Sequence, residues 1–191
     1  MMKKKLIGMM VVLISALWIG IRVNLSYNAV YYAAHMPKGK YRVAEAMMVV
    51  DHLGLLSDDE LSGFMPEIDG YAWVTKETDA GYETFEEHKS PDSNISSYYN
   101  FQVINHEDTT VYYIANNGEI KTAWNYDTGN VEIKIARNGN KGNVEVLKVE
   151  EQKQAYQKIQ SFIQPIVNKQ PKPNVNLQWL FNVINYRRFN D

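Results

Sequence analysis

Four histidines could act as metal ligands or proton carriers, because imidazole is the commonest metal ligand and titrates near neutral pH. His35, His52, His88 and His106 are scattered, and no His-x-x-x-His or His-x-His spacing sets two imidazoles on one ion. His88 follows Glu86-Glu87 and His106 precedes Glu107-Asp108, so the sharpest metal site would unite these two strand ends. Solvated turn residues account for the same letters, and neither a metal nor a cofactor is expected. Glycoside hydrolysis needs two carboxylates whose pairing is set by the fold and not by spacing. Glu83, Glu87, Glu119 and Glu132 are candidates on a wet sheet face, and ordinary surface charge that blocks edge pairing explains them equally well. The run Ser57-Asp58-Asp59-Glu60 has the form of a capping box with acids in a first helical turn, which explains it without a cation.

Other chemistries lack their residues. There is no Gly-x-Ser-x-Gly elbow and no Ser-x-x-Lys pair, and the absence of cysteine removes thiol catalysis, iron–sulfur clusters and cysteine-type zinc sites. Gly139-Asn140-Lys141-Gly142 lies between predicted strands and reads as a hairpin turn, not as a phosphate loop opening a helix.

Aromatic residues are the surplus. Tyr98, Tyr99, Phe101, Tyr112, Tyr113, Trp124 and Tyr126 fall on three consecutive predicted strands. Adjacent tyrosines on a strand point to opposite faces, so one of each pair must face away from the core. Tyr98, Tyr99, Tyr112, Tyr113, Trp124 and Tyr126 are therefore the candidate binding residues, for a glycan, a peptide or a partner protein. The competing expectation covers one sheet face with the N-terminal helices and the other with the C-terminal helices, making the strip core.

The elements that would position this strip are legible from periodicity. Tyr41–Leu53 has helical spacing, with Gly54 as C-cap, and Ser57 opens a second short helix that ends before Pro66. From Gly70 the period switches to two. Strands are expected at Tyr71–Thr75, Tyr82–Glu87, Tyr98–Ile104, Val111–Ala115, Ile120–Tyr126, Val131–Ala136 and Val144–Val149. The turn Asn116-Asn117-Gly118 is a tight hairpin signal, and residues 89–97 are a polar loop. Glu150 onward returns to helical spacing, with Pro165 expected to end or kink that helix near Phe162. Asn174 caps a last helix with Leu177, Leu180, Phe181 and Ile184 on one face. The fold class is α+β: two short helices, an antiparallel meander of six or seven strands, and two C-terminal helices.

Ahead of this domain, Lys3-Lys4-Lys5 leads into an apolar run from Leu6 to Val23, broken by Ser15, two glycines and Arg22. A helix needs about 20 apolar residues to cross a bilayer, and Arg22 and Lys5 can snorkel to the two headgroup layers. Residues 1–23 are read as an anchor, 24–40 as a juxtamembrane linker and 41–191 as the domain. Tyr27, Tyr31 and Tyr32 are placed in the headgroups. The basic end stays in the cytoplasm, so the protein is single-pass with its C-terminal domain extracytoplasmic. The alternative is secretion after signal cleavage, for which the sites ending at Ala29, Ala33 or Ala34 each carry Tyr where a small residue is wanted.

About 168 of the 191 residues follow the run, enough for one domain with its own core. Removing Lys3, Lys4, Lys5 and Arg22 from 20 Lys+Arg leaves 16 against 22 Asp+Glu, so the domain carries about −6. That charge disfavours nucleic acid, which rewards a basic surface. The membrane and a protein partner are the expected contacts. Asn24-Leu25-Ser26 and Asn94-Ile95-Ser96 fit the glycosylation pattern, which carries meaning only in a eukaryote.

These features point to an anchored binding or assembly module of a bacterial envelope, such as an accessory secretion or surface component or a toxin-neutralising protein. An anchored cell-wall hydrolase is the enzymatic alternative. An apolar N-terminal helix ahead of a small antiparallel sheet also resembles the layout of pilins. The pilin processing signature, a glycine ahead of the run and a glutamate at the fifth position after it, is missing, since Gly8 lies inside the run and position 13 holds Leu.

Overall fold

The computed structural model describes residues 2–69, 71–88, 98–105, 108–127 and 145–190. It is an α+β fold: α1 (Met2–Tyr27), α2 (Ala29–Ala34), α3 (Ala44–Asp51), a 3₁₀ turn (Leu53–Leu55), seven strands, then α4 (Val149–Asn168) and α5 (Gln178–Asn190). The strands are β1 (Met65–Asp69), β2 (Tyr71–Thr78), β3 (Gly81–His88), β4 (Tyr98–Asn105), β5 (Asp108–Ile114), β6 (Ile120–Asp127) and β7 (Glu145–Val146). They form one antiparallel meander in sequence order.

Alternation sorts the sheet into two faces. Val74, Phe85, Phe101 and Ile114 are buried on one, where register sets Val74 opposite Phe85 and Phe85 opposite Phe101. Phe162 of α4 packs on Phe101 with ring centroids 5.2 Å apart, and α3 buries Ala44 to Val50 over β2 and β3. Each large side chain removed from water here is worth roughly 1.5–3 kcal/mol, which is how a disulfide-free domain holds together. The N-terminal and C-terminal helices thus share one face of the sheet. The expectation that they divide between the two faces does not hold among the described residues.

Several boundaries differ from the sequence expectation for local reasons. The first domain helix starts at Ala44 rather than Tyr41, because Tyr41 takes a φ of 60° and Arg42 forms a β-bridge to Glu119. Ser57 and Glu60 make the reciprocal contacts of a capping box, with Ser57 N and Oγ both 2.7 Å from Glu60 Oε2, yet turns follow instead of a helix. The edge strand β1 was absent from the periodicity reading. Pro66 inside it is tolerated because an edge strand has one unpaired side. Helix α4 runs on through Pro165. The orphaned carbonyl four residues earlier belongs to exposed Ser161, where water can satisfy it, while Ile163 and Ile166 stay packed. The expected strand Val131–Ala136 lies outside the described residues, as does the loop 89–97.

The largest difference lies at the N-terminal side. Residues 24–40, read as a juxtamembrane linker, contribute α2 to the core through Ala29, Val30, Tyr32 and Ala33. Tyr32 is fully buried and not in a headgroup position. Its hydroxyl donates to Asn24 Oδ1 (2.8 Å) and accepts from Leu177 N (3.1 Å), and its carbonyl accepts Gln178 Nε2 (2.8 Å).

Candidate functional site

The second sheet face carries the polar and aromatic side chains. Strand pairing sets Trp73 opposite Glu86, Glu86 opposite Asn100 and Asn100 opposite Tyr113. One step along, His88 lies opposite Tyr98, and Thr84 opposite Gln102. Period-two geometry therefore gathers onto one face residues that are up to 40 positions apart in the chain.

Glu86 sits at the centre. Its Oε1 accepts Gln102 Nε2 at 2.6 Å, His88 Nε2 at 2.7 Å and Asn100 Nδ2 at 3.3 Å. Burial pushes the carboxyl upward, but the hydrogen bond and charge of His88, with the amides of Asn100 and Gln102, outweigh it and hold the group below the usual carboxylate range. Asn100 Oδ1 is buried and has no hydrogen-bond partner among the described residues.

Aromatic rings wall this carboxylate. The His88 ring stacks on Tyr98 at 4.8 Å with planes 4° apart, and Tyr71 lies 5.5 Å from His88 on the other side. Tyr113 continues the row, 6.3 Å from Tyr98. The result is a row of rings, Tyr71, His88, Tyr98 and Tyr113, beside a fixed negative charge. Ring faces take sugar rings, peptide planes or cations, and an ionised carboxylate accepts from donors.

The two tyrosine pairs split as strand geometry demands. Tyr98 is 39% exposed on this second face, where Asn100, Val111 and Thr109 are buried, while Tyr99 is 2% exposed beneath the helices. Tyr113 joins the row of rings, whereas Tyr112 stacks on Phe101 in the core. Register pairs Trp124 with Val111 and Tyr126 with Thr109. Sequence reasoning missed Glu86, Asn100, Gln102, Tyr71 and Trp73; the alternation of β2 and β3 around Glu86 was the signal that could have found them.

Among the described residues the carboxylates weighed for hydrolysis do not gather. Glu83 lies opposite Val103, Glu87 is buried on the helix-covered face opposite Tyr99, and Glu119 pairs with Arg42 at 3.4 Å, while Glu132 lies outside the described residues. The described histidines stay apart as well. His35 stacks on Tyr31, His52 Nδ1 lies 3.2 Å from Met48 O, and His106 is outside the described residues. Among the described residues no three His, Asp or Glu side chains converge as a metal site would require.

A second polar cluster lies under the sheet. The Tyr99 hydroxyl donates to Asp51 Oδ1 at 2.7 Å and accepts from the Arg188 guanidinium at 3.0 Å. Arg188 also reaches Asp51 Oδ2 at 3.4 Å and the Asn116 carbonyl at 2.9 Å. Burial first, then the Asp51 charge, pushes the Tyr99 phenol far above its usual value. Each of the three side chains is bonded to the other two, so the cluster reads as a tie between α3, β4 and α5.

Comparison with known protein families, characterised proteins and solved structures returns no match.

Proposed function

We propose that the chain is a single-pass membrane protein whose extracytoplasmic domain binds a partner through the exposed Tyr71 and Tyr98 on the Glu86 face of its sheet, as an accessory or toxin-neutralising component of a bacterial envelope. The observation that carries the binding role is the ionised Glu86, fixed by His88, Asn100 and Gln102 and ringed by Tyr71, Tyr98 and Tyr113. Preorganised polar groups beside rigid aromatic area are what a recognition surface needs. A carboxyl held below its normal range suits an acceptor and not a general acid, whose pKa must be raised.

Anchorage is supported by the span Ile7–Tyr27, 21 residues with mean hydropathy 1.8 and none of its window buried in the protein. The lysines at positions 3 to 5 favour a cytoplasmic N-terminus. Retention of the anchor is supported by α2. Cleavage after Ala33 or Ala34 would remove Tyr32 together with Ala29 and Val30 from the core.

Site-specific photo-crosslinking in cells tests this reading. A benzoylphenylalanine at Tyr71 or at Tyr98 should each give the same protein adduct, and one at exposed Gln157 on α4 should not. Adducts from Gln157 alone, or none from either tyrosine, would remove the Glu86 face as the binding surface.

A further inference from the structure

The membrane helix and the domain are joined by hydrogen bonds across Asn28. Asn28 N donates to Asn24 O at 3.1 Å and Tyr32 N donates to Asn28 O at 2.9 Å, while Asn28 itself leaves helical geometry at φ −113° and ψ 17°. The contacts that Asn24 makes at the end of the span therefore set how high each part of the domain stands above the bilayer.

The segment closest to the end of the span is the connection before α5. Asn24 Nδ2 donates to the Val175 carbonyl at 3.1 Å, and the Tyr32 hydroxyl reaches the same oxygen at 3.1 Å. Val175 therefore lies level with Asn24, the residue that follows the apolar run. Helix α5 then climbs away from that level, since its far end meets the chain beyond α2, where Gly39 N donates to Phe189 O at 2.8 Å.

At this height the domain exposes the wrong kind of surface for water. Val175 is 62% exposed and Trp179, in the first turn of α5, is 65% exposed. Tyr27 is exposed one turn past Asn24, and the cations Arg22 and Lys172 are exposed nearby in the chain. Tryptophan and tyrosine beside basic residues at one depth match the composition of a membrane–water interface. Pro171 and Pro173 stiffen the connection, and Pro173 is buried, so the segment is held in place.

We propose that residues 171–179 rest in the lipid headgroup layer, with Val175 at the level of Asn24 and Trp179 in the first turn of α5 just above it, as a second membrane contact that seats the domain on the bilayer. This rests on the reading of α1 as a retained transmembrane anchor. The occupant is lipid, because the surface is continuous with the emerging end of the span.

The chain has no cysteine, so single-cysteine spin labels report one site each. The full-length protein is reconstituted in phosphatidylcholine–phosphatidylglycerol vesicles and labelled in turn at L13C, V175C, W179C and V183C. Relative accessibility to oxygen and to a polar nickel chelate reads depth. The expected order is Leu13 deepest, Val175 and Trp179 at headgroup depth, and Val183, one turn further along α5, more accessible to nickel. Values at Val175 or Trp179 equal to those of a label free in solution, with Leu13 still deep, overturn the proposal and leave the anchor standing. A water-exposed label at Leu13 would instead sink the anchor reading and this proposal with it.

Discussion

The hydroxyl of Tyr99 donates to the carboxylate of Asp51 across 48 positions of sequence, at 2.7 Å, and Arg188 closes the triangle by binding both. Three elements that meet nowhere else in this way are tied at one point: the last residue of α3, the second of β4 and the last turn of α5. In Tyr99→Phe the ring still packs, while Asp51 and Arg188 lose a shared partner. Removing one partner from a buried hydrogen-bonded charge costs about 1–3 kcal/mol. At roughly 2–4 °C per kcal/mol for a domain of this size, the melting temperature should fall by about 2–12 °C. The alkaline limb gives a second readout. Above about pH 10 the unfolded chain releases the Tyr99 proton while the native protein keeps it, so stability falls as pH rises. The variant should lose stability there less steeply, with Tyr98, Tyr112 and Tyr156, all raised by burial, supplying what remains.

Glu86 gives the opposite sign on the acid side. Its folded-state pKa lies below the ordinary carboxylate value, so the stabilisation it supplies is complete above the unfolded value of about 4.3. It is lost as pH falls from there through the lower folded value, because the unfolded chain takes up the proton first. Urea denaturation of the wild type and of Glu86→Gln at pH 7, 5, 4 and 3 should show the gap between the two narrowing as the pH drops. A gap that stays constant with pH would mean that the charge of Glu86 contributes nothing to holding this face.

The architecture was readable because period two and period 3.6 switch cleanly at Gly70 and Glu150, and because one face of each strand is apolar. The tyrosine pairs illustrate how far that goes. Strand geometry required Tyr98 and Tyr99 to part, but only the packed helices decide that Tyr99 goes under them. The Glu86 face was illegible for a different reason. Glu86 is one acid among 22 Asp+Glu in the sequence, and its three donors come from two strands whose register no local pattern prints. Helix α2 was misplaced because tyrosines beside an apolar run look the same in a headgroup layer and in a core. Tyr32 is told apart only by partners near residues 175–178, more than 140 positions away.

Gly81 should be the least tolerant glycine in the sheet. It opens β3 with a φ of 149°, and a Cβ built there would run into the carbonyl oxygen of Ile104 on the neighbouring strand. Backbone cannot give way as the end of a side chain can, so Gly81→Ala must part β3 from β4 at that end or distort the turn. The expected cost is about 2–4 kcal/mol, read as a lower denaturation midpoint with an unchanged slope. Gly54→Ala serves as the comparison, since its nearest neighbour is the flexible end of Ile68 at 3.6 Å, and it should change stability far less.

The continuity of α1 with α2 makes the point of truncation decisive. A chain beginning at Asn24 keeps the side chain that accepts the Tyr32 hydroxyl and all four buried residues of α2. A chain beginning at His35, which is what cleavage after Ala34 would leave, loses Ala29, Val30, Tyr32 and Ala33. It also strips Leu177 N of its acceptor and leaves Gln178 Nε2 with only Asn182 Oδ1 of its two. Deleting a buried tyrosine and three small core residues costs several kcal/mol in transfer and cavity terms, a large fraction of the 5–15 kcal/mol a domain has. Expressed as exported proteins, the first should give a cooperative melt and the second should unfold or aggregate. Equal stability of the two would mean that α2 is dispensable to the core and that the domain tolerates loss of its anchor.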